Sequence, residues 1–397
     1  MTGAPDRPVG TIGGGPPARI DPAGTLQPAG AAWTCEWWIG ADDRWRIPAN
    51  EVAVRQQAVH NVPVVETVMR VPGGDAFQRV YGISGTGDPV VVEIENRSPA
   101  PFVVAFVVRG ASRVAAAGSH VAVDGAFVCS WARAPSRWAR TVGAPVQVPV
   151  VTGRAESGTF PAARDRAGRI EAAFLHPVAH RTRLRMIVTR GRQAPQLPDR
   201  DLPDAERVAA GWRRQLDRSM QVQLPDRPLE ARLRAARADV LLLGQDRTVA
   251  AGVLAALEDW GFDAEAAEAW RRVGLRTRRR AAARPAAGTW AALEPVADPA
   301  GLLVAARRIL VDDTDPTRLV LCADHPPAWR GQALEVRAAP VGAGTVSYAV
   351  RWHGDRPALL WDAPPGTTVR IPGLDPDWES SAATGEALLA PPGPAPA

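Results

Sequence analysis

VVVEIENRSPAPFVVAFVVR, residues 90–109, is the stretch on which the reading of the fold turns. In its first half Val90, Val92 and Ile94 alternate with Val91, Glu93 and Glu95, the period of a half-buried strand. Its second half, residues 102–108, is apolar at every position. Both faces of that segment need cover, which places it in the middle of a sheet. Between the halves, residues 96–101 are rich in turn formers.

The same grammar extends in both directions. Residues 64–71 run through Pro72, Gly73, Gly74 and Asp75 into 77–83, with glycine supplying the positive φ that such turns need. Val121 and Val123 lead through Asp124 and Gly125 into 126–131, another hairpin signal. Residues 170–175 and 184–188 complete the series. No helical period interrupts it, so 30–192 is expected to be an antiparallel β-sandwich. Residues 1–29, rich in Gly and Pro, read as a disordered lead-in without the apolar centre of a signal peptide. Their GTIGGGP run has neither a strand before it nor a helix after it, as a dinucleotide loop would require.

From Asp204 the period lengthens. Val208, Trp212, Leu216 and Met220 form one stripe, and Leu229, Leu233, Ala236, Val240 and Leu243 a second that stops at Gly244. Val249, Val253, Leu257 and Trp260 end at Gly261, and Ala266, Trp270 and Val273 end at Gly274. Residues 301–311 add another helix. Residues 204–311 are thus expected to hold about five or six antiparallel helices. Beyond Pro316 the period returns to two, with Val346, Tyr348, Val350 and Trp352 alternating against Ser347, Ala349 and Arg351. Residues 317–389 read as a small C-terminal β-domain and 390–397 as a flexible tail. The fold class is multidomain α+β.

Composition excludes several functions. The chain has 397 residues, no lysine at all and a net charge of +5. Without a lysine ammonium there is no Walker-A phosphate clamp and no Schiff-base amine. Arginine, alanine and proline richness has the look of a high-GC genome, so the basic balance is no evidence for nucleic acid. Cys35, Cys129 and Cys322 are few and scattered, which fits a reducing cytoplasm rather than a disulfide framework. No apolar run suits a transmembrane helix, and no metal or cofactor is expected.

The candidate site is EWWIGADDRWRIP, residues 36–48. If extended, Glu36 and Trp38 share a face while Trp37 takes the other. Trp38 and Trp45 would stack on sugar rings, with Glu36, Asp42 and Asp43 accepting hydroxyl hydrogen bonds. The competing reading is a sandwich core in which the adjacent acids serve the indole N–H groups. Trp260, in the LEDWGFD run with Glu258 and Asp259, is a further candidate to border a groove. Adjacent carboxylates on a helix diverge too far for glycosidic acid–base work, and Asp263 is expected to cap the following helix. His176 and His180 have the spacing of a zinc site on a helix, but Pro177 and strand-like surroundings argue against one. His353 reads as a turn residue. The run RTRRRAAAR, 276–284, lacks the interleaved aromatics of a nucleic-acid surface and reads as a solvated helix face or a salt-bridged surface.

The 36–48 and 64–83 segments, residues 90–109 and RWHGDRPALLW (351–361) together resemble bacterial glycoside hydrolases of the six-hairpin type, the glucoamylase-like and glycogen-debranching-like enzymes. The resemblance implies an N-terminal sandwich, a helical toroid and a C-terminal β-domain. A closed toroid takes about twelve helices, more than 204–311 can supply. Hence the expectation is an incomplete toroid. The expected function is binding of an oligosaccharide or glucan with catalysis lost or rudimentary. The alternatives are a glycosidase completed by homo-oligomerisation and a helical protein-interaction scaffold.

Overall fold

Residues 5–192, 201–244, 249–282 and 284–391 are described by the structure, a computed structural model. It is a mixed α+β protein with several antiparallel sheets, divided into two compact units that meet in sequence at Gly211–Trp212.

The first unit contains two large sheets. One has the strand order 7–9, 18–20, 26–27, Thr34–Gly40, Phe102–Ala111, Ile170–Val178 and Arg137–Val142, with Trp45–Arg46 pairing to Thr34–Gly40 as well. The other runs 163–164, 113–117, 120–123, Phe127–Trp131, Arg183–Arg190, Val90–Asn96, Gly74–Gly82, Val64–Val71 and Arg55–Ala58. The two halves of the 90–109 stretch therefore lie in different sheets. Phe102–Ala111 is central, pairing with Thr34–Gly40 on one side and Ile170–Val178 on the other, as its double-faced apolarity requires. Its Phe102, Val104, Phe106 and Val108 enter the core shared by the two sheets. Its Ala105 and Val107 join a second cluster with Trp38, Ala139, Ala173 and Leu175, which Val146 and Val150 complete. Val150 belongs to the short helix Gln147–Val151. A register shift between Arg109 and Ala111 falls at Gly110, whose φ of +80° suits a residue without a side chain, and pairing resumes at Ala111.

The chain passes from sheet to sheet at Asn96. Asn96 is fully buried; its Oδ1 accepts from Ser98 N at 2.9 Å, and its Nδ2 donates to Ala100 O at 2.9 Å and Val178 O at 3.2 Å. One amide thus ties the turn to itself and to the far strand.

The lead-in expected to be disordered is corrected: it supplies the three edge strands 7–9, 18–20 and 26–27. They are too short to show a period. A local Asp21 turn and long-range side-chain bonds hold them instead. Asp21 Oδ1 accepts from Ala23 N and Thr25 N at 2.9 and 2.8 Å, while Trp37 Nε1 donates to Ala23 O at 3.1 Å. Gln78 Nε2 donates to Gly24 O at 2.9 Å, and a Cβ on Gly24 would sit 2.2 Å from Gln78 Oε1. The GTIGGGP run is accordingly a turn between two strands, with a strand before it and no helix after it.

Helix Ala205–Leu216 spans the boundary between the units. In the second unit, Asp226 caps Arg227–Leu243 by accepting from Leu229 N at 2.9 Å, and Asp298 caps Pro299–Leu310 by accepting from Gly301 N at 2.7 Å. Helices Ala251–Asp259, Asp263–Arg272 and Leu275–Ala282 lie between them in sequence. Pro299–Leu310 is buried along almost its whole length, because other helices of the unit pack around it. A five-stranded sheet joins Gln221–Gln223 to Leu334–Val341, Gly344–His353, Arg356–Asp362 and Thr384–Leu388. The helical segment and the C-terminal sheets are therefore one compact unit, since a strand from before the helices completes the sheet after them. A four-stranded sheet, 311–315, 318–321, 368–371 and 375–380, adds one parallel pair. The call on the tail falls mostly on 392–397, outside the described residues.

Removing the Asn96 amide tests the crossing. Asn96→Ala removes the amide that donates to the Ala100 and Val178 carbonyls and accepts from Ser98, and should lower stability by about 1–3 kcal/mol. Thermal denaturation reads it; an unchanged melting temperature would show that the turn forms without the amide.

Candidate functional site

The alternation of Thr34–Gly40 sends Trp37 into the intersheet core and Trp38 to the outer face, beside Glu36. Trp38 is fully buried there, and its Nε1 donates to Glu36 Oε2 at 2.8 Å. The acid next to the tryptophan satisfies its indole.

Two residues that the sequence reading did not single out complete this group. Arg109 Nε lies 2.5 Å from Glu36 Oε1, and its Nη1 donates to Glu171 Oε1 at 2.6 Å. Its guanidinium also sits 5.4 Å from the Trp38 ring centroid, within cation–π range. Glu171 Oε2 accepts from Val146 N at 2.8 Å, which docks the entry to the short helix. All four carboxylate oxygens are engaged within the fold. Period two puts Arg109 on the same face as Ala105 and Val107. Only the strand register, with Arg109 opposite both Thr34 and Glu171, brings the partners together.

The hairpin that follows is the exposed part. Arg46 holds Asp43 through two bonds of 2.7 and 2.6 Å, and this guanidinium pulls the Asp43 carboxyl down to about 2. Arg44 pairs with Glu51 through both nitrogens, which lowers the Glu51 carboxyl as well. Asp42 is exposed, and Trp45 is half-buried. The Trp45 ring lies over Gly40, where a Cβ would come within 2.9 Å of its ring carbons. The structure thus brings Glu36 and Trp38 together inside, packs half-buried Trp45 against the edge of the same cluster and leaves Asp42 and Asp43 at the surface.

Trp260 is fully buried in the second unit, with Nε1 donating to Leu303 O at 3.0 Å and Arg237 stacked 5.4 Å from its ring. It presents no face to solvent. Glu258 and Asp259 converge on one cation: Arg284 Nη2 reaches Glu258 Oε2 at 3.0 Å, and its Nε reaches Asp259 at 2.9 and 3.0 Å. Burial pushes the Asp259 carboxyl up, and Arg284 acts against the rise. Glu258 also accepts from Trp270 Nε1. Asp263 opens its helix without capping it; the residue at the cap position is Phe262, and no side chain bonds there. Arg278, in the same arginine run as Arg284, donates to Val273 O and Trp270 O at 3.1 and 2.7 Å.

His176 and His180 do not meet. His176 is buried against Trp131 and Phe106, at ring distances of 5.0 and 6.0 Å, whereas exposed His180 contacts Ser98 O. Among the described residues no group of three His, Cys, Asp or Glu side chains is placed to hold a metal ion. His325 is buried against Trp329 and Trp352, at 6.1 and 5.9 Å. Burial pushes both imidazoles down to about 4, and Nε2 of each has no partner.

No protein-family model matches the chain, and no characterised protein matches it significantly.

The two histidines set a pH dependence. Their folded values of about 4 lie below the ordinary 6.5, so the unfolded chain takes up protons first as pH falls. Stability should be full above about pH 6.5 and fall between there and about pH 4, by on the order of 1.4 kcal/mol per pH unit for each histidine. Denaturation midpoints across that window measure it. His176→Phe should flatten the slope; an unchanged slope would show that His176 is protonated in place.

Proposed function

We propose that this chain acts by binding rather than by bond cleavage, as a glycosidase-like protein of carbohydrate metabolism that recognises an oligosaccharide or glucan. The supporting observation is the 40–46 hairpin, where a tryptophan ring is laid on Gly40, Asp42 is exposed and Asp43 is held at the surface by Arg46. A fixed aromatic face with hydroxyl acceptors at its rim is the chemistry that sugar rings use. The neighbouring acids support the loss of catalysis in this reading. A glycosidic acid–base pair needs two carboxyl groups free to exchange protons across a cleft. Glu36 and Glu171 instead spend their oxygens on Trp38, Arg109 and Val146. The order of sandwich, short helical segment and C-terminal sheets fits the proposed descent from a six-hairpin architecture with an incomplete helical domain. A cytoplasmic setting belongs to the same proposal; among the described residues no helix is long and apolar enough to cross a membrane.

Titration calorimetry against a panel of α-glucans tests the reading. Binding should appear with at least one member and weaken about tenfold or more in Trp45→Ala, while Trp38→Phe should alter stability before affinity. Heat-silent titrations throughout the panel would remove it.

A second reading, an interaction scaffold, draws on helix Leu275–Ala282. Arg276, Arg279 and Arg280 occupy one exposed face and form no ion pair among the described residues. Such a face suits an acidic protein partner. Capture of one stoichiometric partner, insensitive to added sugar and lost when the three arginines become glutamate, would favour it over the first.

A further inference from the structure

The two cysteines of the sandwich lie on opposite sheets, and ring contacts fix how those sheets face one another. Trp33, Cys35 and Trp37 point inward from one sheet; Phe127, Cys129 and Trp131 point inward from the other. At one end Trp33 meets Phe127 edge-on, with ring centroids 5.5 Å apart. At the other end Trp131 meets Phe106 at 5.7 Å, and Phe106 is the cross-strand partner of Trp37. Strands Thr34–Gly40 and Phe127–Trp131 therefore run in the same sense across the core. Cys35 stands midway between Trp33 and Trp37, and Cys129 midway between Phe127 and Trp131. Both small residues belong to the same intersheet core, each flanked by large rings on its own strand. Burial pushes both thiols up, and charge on Cys129 adds to the rise at Cys35.

We propose that Cys35 and Cys129 are a dithiol site that closes to an inter-sheet disulfide when the protein meets a disulfide oxidant. In the reaction each cysteine loses its thiol hydrogen and one S–S bond forms between the two Sγ atoms. The S–S bond of oxidised glutathione breaks to give two glutathione thiols, so two electrons and two protons leave the protein. Both thiols are buried, at 3% and 1% exposure, so exchange proceeds while the sandwich opens or folds. Closure cross-links Thr34–Gly40 to Phe127–Trp131 over a loop of roughly 95 residues, which restricts the unfolded chain strongly. Cys322 lies in the second unit and takes no part in the link.

The test refolds the full chain from denaturant in a buffer dominated by oxidised glutathione, then alkylates it under denaturing conditions and digests it without reduction. The expected result is a Cys35–Cys129 linked peptide, two hydrogens lighter than the reduced pair, with Cys322 alkylated or glutathionylated. The oxidised protein should melt roughly 5 °C or more above the reduced one. Cys322→Ser should keep both the link and the shift, and Cys129→Ser should lose both. Cys35 and Cys129 recovered separately, as free thiols or as mixed disulfides with glutathione, would overturn the proposal. So would a linked form that melts below the reduced one, because the native spacing would then be too wide for the bond.

Discussion

The first unit depends on one strand that must be covered on both faces. Phe102–Ala111 is apolar throughout most of its length, and each of its faces has its own cluster. Phe106 points into the intersheet core opposite Trp131, while Ala105 and Val107 point outward against Trp38. Burial of this kind is worth about 1.5–3 kcal/mol for each large side chain. The outer face can be dry only if every polar group that borders it is answered. Trp38, Glu36, Arg109, Glu171 and the Val146 amide answer one another through three hydrogen bonds and the Arg109–Glu36 ion pair.

That constraint explains why a cluster with the composition of a sugar cleft is mostly interior. Three tryptophans and three carboxylates in residues 36–48 divide by geometry. Trp37 and Trp38 alternate across the strand, Glu36 follows Trp38, and the chain then reverses through Asp42 and Asp43 before Trp45 returns over Gly40. Chemistry at the surface is left to the hairpin. The second unit repeats the logic: Trp260 and Arg237 are stacked inside, and Glu258 with Asp259 anchors Arg284.

Much of this was legible in the residues themselves. Period two located the 64–71, 74–82 and 120–131 hairpins, and the unbroken apolar run placed 102–108 in mid-sheet. The shared face of Glu36 and Trp38 followed from alternation alone. What was not legible depends on register and on distant partners. Arg109 meets Glu36 and Glu171 only once three strands are aligned. The edge strands at 7–27 are two or three residues long, and bonds from Trp37 and Gln78 hold them, so local sequence carries no sign of them. The 90–109 stretch read as two strands and a turn; that the turn changes sheets follows from the contact between Asn96 and Val178, 82 residues apart. The stripes between 205 and 310 announced helices, but not that Gln221–Gln223 joins the C-terminal sheet and binds both regions into one unit.

The central claim is that Trp38 lies sealed within the dry outer cluster while Trp45, packed against the edge of that cluster, stays half-exposed. Hydrogen exchange of the assigned indole N–H groups, followed by NMR at neutral pH, measures this directly. The account requires the Trp38 indole, bonded to Glu36 and sealed from solvent, to exchange orders of magnitude more slowly than that of Trp45. A Trp38 indole that exchanges as fast as the Trp45 indole would contradict it, because the outer face of Phe102–Ala111 would then be open.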